Sequence, residues 1–241
     1  MKLTDFRALT FDCYGTLIDW ESGIYTALQS LLERGAVTAD RESVLATFAQ
    51  HESAQQRETP DMIYAQLLAA VHRRLAQAWK IAASEADHVR FGASVGDWPA
   101  FPDSAAALQY LKRHYKLVIL SNVDRESFKA SNARLQVEFD AIYTAQDIGS
   151  YKPDLANFRF MLDRLGKLGI ARGDILHTAQ SLFHDHAPAK SVGLASAWID
   201  RRHERVGWGA TMPPPDGASY EFRFASLAQM VEAHQQALRG S

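Results

Sequence analysis

A carboxylate, a hydroxyl, an ammonium and a second carboxylate occur in that order along this chain, each just after a short apolar run. Asp12 follows Ala8-Leu9-Thr10-Phe11 and precedes a turn at Gly15. Ser121, with Asn122 beside it, follows Leu117-Val118-Ile119-Leu120. Lys152 stands in Tyr151-Lys152-Pro153-Asp154, and Asp185 closes the stretch that begins Ala179-Gln180-Ser181. A carboxylate kept ionised by an ammonium is a nucleophile able to form an ester. A hydroxyl and an amide at a strand end can hold an anion. Each residue also has a plainer reading. Asp12 could be structural, Ser121-Asn122 a turn, and Lys152 a surface lysine. Asp185 could be a helix cap before the small-residue run 187–194, and Cys13 buried packing. What favours chemistry is the order, each group lying after its own strand.

Those groups must be positioned by strands that end on one side. Apolar runs at 7–11, 116–120, 141–144, 174–178 and 194–199 read as strands, with helical patterns between them at 104–114 and 157–165. Such alternation predicts parallel βαβ units, and open α/β sheets carry their chemistry beyond the carboxyl ends of the strands. Between about Trp20 and Asp97 the pattern is helical: Ile24, Tyr25, Leu28, Leu31 and Leu32 recur at three and four residues, as do Leu67, Leu68, Val71 and Leu75. The expected fold class is therefore α/β. Residues 1–18 and 99–241 form the core, and 19–98 an inserted all-helical domain. Residues 212–217, rich in proline, read as an irregular loop.

Composition narrows the classes of function. The 241 residues are 47% hydrophobic and 22% charged, ample for a core. A net charge of -2 provides no field to attract nucleic acid or an anionic membrane. The single cysteine, Cys13, excludes an internal disulfide framework, and no apolar run is long enough for a membrane span. The start Met1-Lys2-Leu3-Thr4-Asp5 is too short and polar for a signal peptide, so the expected location is cytoplasmic. Trp20, Tyr25 and Trp79 could belong to the core or to a homodimer interface.

The motifs together resemble the haloacid dehalogenase superfamily. Phe11-Asp12-Cys13-Tyr14-Gly15-Thr16-Leu17 is similar to its first motif, Leu120-Ser121-Asn122 to its second, and Tyr151-Lys152-Pro153-Asp154 to its third. Asp185, with Ala189, Lys190 and Gly193 after it, is similar to the end of its fourth. The resemblance implies a modified Rossmann core with a helical cap and an aspartyl-enzyme intermediate. It implies Asp12 as nucleophile, Ser121 and Lys152 as its partners, and Thr16 as a supporting hydroxyl; in the mechanism expected on that basis, Asp185 positions or deprotonates the hydrolytic water.

Two departures select a branch. Where most family phosphatases have a second aspartate as general acid, this chain has Tyr14. Where they have an acid that helps bind Mg²⁺, it has Ser181. Magnesium needs hard oxygen ligands, whereas halide leaves carbon without protonation. Asp19 after Leu17 also resembles the L-2-haloacid dehalogenase branch. The expectation is a hydrolase removing halide from short 2-haloalkanoic acids. The small anionic substrate would be held by Tyr14, Thr16, Asn122 and Ser181, with Ser121 and Asn122 on its anionic end and no cofactor. The alternatives are a Mg²⁺-dependent phosphatase of small esters and a non-hydrolytic binding member.

Other positions depart from that branch. Its cap arginine has Phe48-Ala49 as counterpart here, its fourth-motif asparagine has Leu182, and a tyrosine has Phe158. In the cap, His51, Glu52, Gln55 and Arg57 lie on a polar helical stretch read as solvated, with Tyr64 beyond it. His184 and His186 flank Asp185, but side chains so close on one element diverge and do not suit one metal ion.

Overall fold

A computed structural model describes residues 1–240. Its spine is a six-stranded parallel sheet of β1 (Ala8–Phe11), β2 (Lys116–Ser121), β3 (Ala141–Thr144), β4 (Ile175–Ala179), β5 (Ala195–Ile199) and β6 (Phe222–Phe224), in the order β3-β2-β1-β4-β5-β6. The first five strands lie on the apolar runs expected from sequence. β6 was not expected: its three residues are too few to show an alternation, and it pairs only along the β5 edge.

The helices are α1 (Trp20–Arg34), α2 (Arg41–Glu58), α3 (Tyr64–Ala78), α4 (Glu85–Gly92), α5 (Ser104–Leu111), α6 (Arg125–Leu135), α7 (Ala145–Ile148), α8 (Leu155–Lys167), α9 (Ala187–Ser191) and α10 (Leu227–Arg239). Aspartates open several of them: Asp19, Asp40 and Asp124 accept hydrogen bonds from the backbone N–H groups of Ser22, Ser43 and Ser127. Successive strand residues enter opposite cores, which explains the continuous apolar runs. Leu9, Phe11, Leu117 and Ile119 pack with α5 and α10 through Leu108, Leu111, Leu227 and Met230. Ala8, Val118, Leu120 and Ile175 pack with α8 and α9 through Phe158, Met161, Leu165 and Ala189. The result is a three-layer, Rossmann-like α/β fold.

The first apolar core continues through Tyr14, Leu17 and Ile18 into α1–α4, where Leu28, Leu45, Leu68 and Phe91 are buried. Burying one such side chain contributes roughly 1.5–3 kcal/mol. Chain leaves and re-enters this helical block side by side: Ile18 bridges Ala100, and Asp19 N–H donates to the Pro99 carbonyl at 2.7 Å. A second tie comes from Arg202, beyond β5, whose buried guanidinium pairs with Glu21 of α1 at 2.5 Å and also with Glu42 of α2.

β1 lies between β2 and β4, and Phe11 is in register with Ile119 and Thr178. The chain moves to opposite sides of β1, so a crevice opens at its carboxyl end. Asp12 sits there.

Candidate active site

Lys152 organises the crevice. Its side chain is 1% exposed, and its ammonium donates to Asp12 Oδ1 at 2.9 Å, Asp185 Oδ1 at 2.7 Å and the Leu120 carbonyl at 2.9 Å. So the sequence-predicted carboxylates and ammonium do converge. Burial opposes a charged ammonium, but the two carboxylates win and raise the Lys152 pKa.

The acids are not equivalent. Burial pushes Asp185 up, yet Lys152 and His177 outweigh it and hold the carboxyl far below its usual range. For Asp12, burial wins: its pKa is raised, with Asp185 adding to the rise while Lys152 and Thr16 oppose it. Lys152 favours the ionised form of Asp12, as expected, but its one charge is shared with Asp185 and does not fully offset burial.

Asp185 lies in a short π-helical turn, Leu182–His186, instead of capping α9. His177, inside β4, reaches Asp185 Oδ1 from Nε2 at 3.0 Å. A carboxylate only accepts, so Nε2 bears the proton, and Nδ1 meets the Thr10 hydroxyl at 2.8 Å. Asp185 Oδ2 is buried with no hydrogen-bond partner. An acid this weakly basic with a free oxygen is suited to hold a water in place more than to retain its proton.

Thr16 donates to Asp12 Oδ2 at 2.7 Å and accepts from the Gln180 N–H at 2.9 Å. The turn between them uses Gly15 at φ +92, where a side chain would be strained and would press on Trp20 and Gln180. Ser121 Oγ is buried without a partner, free to donate to a ligand. Asn122 has a structural task as well. Its amide clamps the Lys152 backbone, accepting from the N–H at 2.6 Å and donating to the carbonyl at 2.9 Å. It positions the lysine with one amide N–H, and the side chain also lines the cavity. The Tyr14 ring lines the cavity and packs edge-on against Trp98 at 5.6 Å, while its hydroxyl pairs with Ser131 on α6 at 2.9 Å. Ser181 lines the cavity but caps the π-helical turn, accepting from the His184 N–H at 3.0 Å.

The cavity over Asp12 and Lys152 holds only about 30 Å³ and is roofed by Trp20, Glu52, Gln56 and Tyr64. Thr211 closes one side from the irregular stretch after β5. Glu52 corrects another expectation: it is 3% exposed, and Tyr64 donates to its Oε1 at 2.7 Å. The polar face of α2 at Glu52 and Gln56 faces this cavity, not water. Phe48 packs against Trp20 and Phe91. The two histidines diverge: His184 Nδ1 meets Ser181, while His186 meets Ser196 and the Ala179 carbonyl.

The donors suit a divalent cation poorly. Lys152 Nζ lies within 2.9 Å of one oxygen of each carboxylate and already offsets their charge, and Ser181 supplies no charge.

Comparison with known proteins agrees with this architecture. The family model for haloacid dehalogenase-like hydrolases matches residues 6–178. The curated (S)-2-haloacid dehalogenase 4A of Burkholderia cepacia is 29% identical over 166 residues, spanning 66% of this chain and 70% of the relative. Among solved structures, the L-2-haloacid dehalogenase from Xanthobacter autotrophicus superposes with a TM-score of 0.77 at 20% identity, covering 98% of this chain and 99% of that one. Another L-2-haloacid dehalogenase gives 0.75 at 23% identity, covering 98% and 100%. At such identities the structures share a fold. No described helix is long and apolar enough to cross a membrane. Most of the sequence falls under the family model, and the chain belongs to the haloacid dehalogenase-like hydrolases.

Proposed function

We propose that this hydrolase displaces halide from short 2-haloalkanoic acids, using Asp12 as nucleophile and no metal. The observation that carries the reading is the buried Lys152 ammonium bonded at once to Asp12 and Asp185. It offsets charge at the nucleophile in the way a divalent ion would in phosphoryl transfer. The dehalogenase relative from Burkholderia cepacia supports the same substrate class.

In this reading, Asp12 Oδ1 or Oδ2 attacks the carbon bearing the halogen, and the bonding pair departs with the halide. Ser121 Oγ binds the substrate carboxylate. Water held by Asp185 Oδ2 then adds to the Asp12 carboxyl carbon and releases the 2-hydroxy acid, one proton going to the product hydroxyl and the other to solvent. The product oxygen thus comes from Asp12. A halide-release screen on short 2-fluoro, 2-chloro and 2-bromo acids, with and without chelator, tests the activity. Single turnover in heavy-oxygen water tests the route: label belongs in Asp12, and label confined to the product refutes the ester. Asp12→Asn should abolish turnover, because nucleophile and partners act as a unit.

A further inference from the structure

We propose that Glu52, reaching down from α2, receives the departing halide: as a neutral carboxylic acid it donates a hydrogen bond from Oε2 to the halogen as the carbon–halogen bond breaks. This rests on the reading of Asp12 as the attacking group. Glu52 lines the same cavity as Asp12 and Lys152. The Tyr64 hydroxyl occupies Oε1, which leaves Oε2 as the oxygen to carry a proton.

The surroundings favour the neutral acid. On the floor, Asp12 and Asp185 face the single ammonium of Lys152, a net negative charge. Burial holds the His184 imidazole down near 4, so that ring adds no cation. Three phenols complete the neighbourhood, Tyr64 from α3, Tyr151 before Lys152, and Tyr14 from the turn after β1, and burial pushes all three up. α1 and the stretch after β5 contribute uncharged Trp20 and Thr211. Burial raises Glu52 itself to about 7, with Tyr64 opposing the rise. An ionised Glu52 would meet an anionic substrate and a departing anion, so the acid form is the one that fits. The roof offers this donor in place of a cation.

The step balances without proton transfer. Asp12 gives an electron pair to carbon, the halide takes the carbon–halogen pair, and Glu52 keeps its proton throughout. Donation of this kind favours small, strongly accepting halides, so the ligand class is a short 2-fluoro or 2-chloro acid.

The test follows alkylation of Asp12 by mass spectrometry in the wild-type chain, E52Q and E52L, across 2-fluoro, 2-chloro and 2-bromo acids and from pH 6 to 9. Loss of one donor that acts in the transition state is expected to cost roughly 10²-fold in E52L, most for fluoride and least for bromide. The wild-type rate should fall about tenfold per pH unit above 7. E52Q, which keeps the shape and an N–H donor, should retain most of the rate with that alkaline fall removed. An equal loss for all three halogens in E52L, or an alkaline fall unchanged in E52Q, overturns the proposal while Asp12 alkylation leaves the underlying reading intact. If no haloacid alkylates Asp12 in the wild type, the underlying reading fails and the proposal with it.

Discussion

Replacing Lys152 by methionine isolates what the central ammonium contributes. Its Nζ lies 2.9 Å from Asp12 and 2.7 Å from Asp185, fully enclosed. At an effective dielectric of about 20, each such pair attracts by about 5–6 kcal/mol before desolvation is counted. Desolvating the ammonium cancels much of this, and removal of one partner from a buried ion pair costs about 3–5 kcal/mol in practice. Lys152→Met should therefore lower the unfolding free energy by about 4 kcal/mol at pH 7. The pH dependence provides the sharper check. In the unaltered chain the Asp185 carboxyl is held low, so its contribution is present above the ordinary carboxylate pKa and is lost as acid protonates it in the folded state. Without the ammonium, burial and like charge raise the carboxyls instead. The folded variant then binds a proton the unfolded chain does not, and its deficit should narrow by about 1.4 kcal/mol for each pH unit from 7 down to 5. Urea unfolding at pH 5, 6 and 7 measures this. A deficit below about 1 kcal/mol at pH 7, or one that does not change with pH, would refute the reasoning.

Two further outcomes follow from packing and burial. A Cβ at Gly92 would lie 2.2 Å from the Ala65 carbonyl oxygen of α3, so Gly92→Ala should destabilise by about 1–3 kcal/mol in urea unfolding despite alanine's better helix propensity; a gain in stability would show the α3–α4 contact to be looser than described. Burial holds His184 and His186 near 4, whereas it raises Glu52 to about 7. The histidines make stability fall as pH drops below 6.5, and Glu52, protonated more readily when folded, works the other way above 4.5. Removing that offset in E52Q should steepen the loss of stability between pH 6.5 and 4.5 by about 1.4 kcal/mol per pH unit, read from thermal or urea unfolding; identical slopes in the two chains would contradict a buried, neutral Glu52.

Much of this was legible in sequence for a physical reason. Strands covered on both faces read as unbroken apolar runs, so β1, β2 and β4 could be placed, and with them Asp12, Ser121 and Asp185 at a common edge. β6 was not legible, because Phe222 and Phe224 flank one residue and show no period. Glu52 was misread because a polar helix face against a polar cavity has the same pattern as one against water. His177 was hidden inside an apolar strand; a titratable residue between Leu176 and Thr178 was the available signal. Thr211 gave none, since irregular chain has no period from which to infer what it approaches. Asn122 was identified, but nothing in residue type distinguishes an amide that binds ligand from one that fixes the neighbouring backbone of Lys152.

The paired stretches of chain at Ile18 and Ala100 close the helical block at its root. Its two ends are already fastened together before any helix begins, so a longer, shorter or wholly different insert between them would leave the register of β1 with β2 and β4 undisturbed. Loop-closure entropy rises only slowly with length, by about 0.6 kcal/mol per doubling, and tolerates such exchange. Lineages could thus rewrite the roof over Asp12 while inheriting its floor intact.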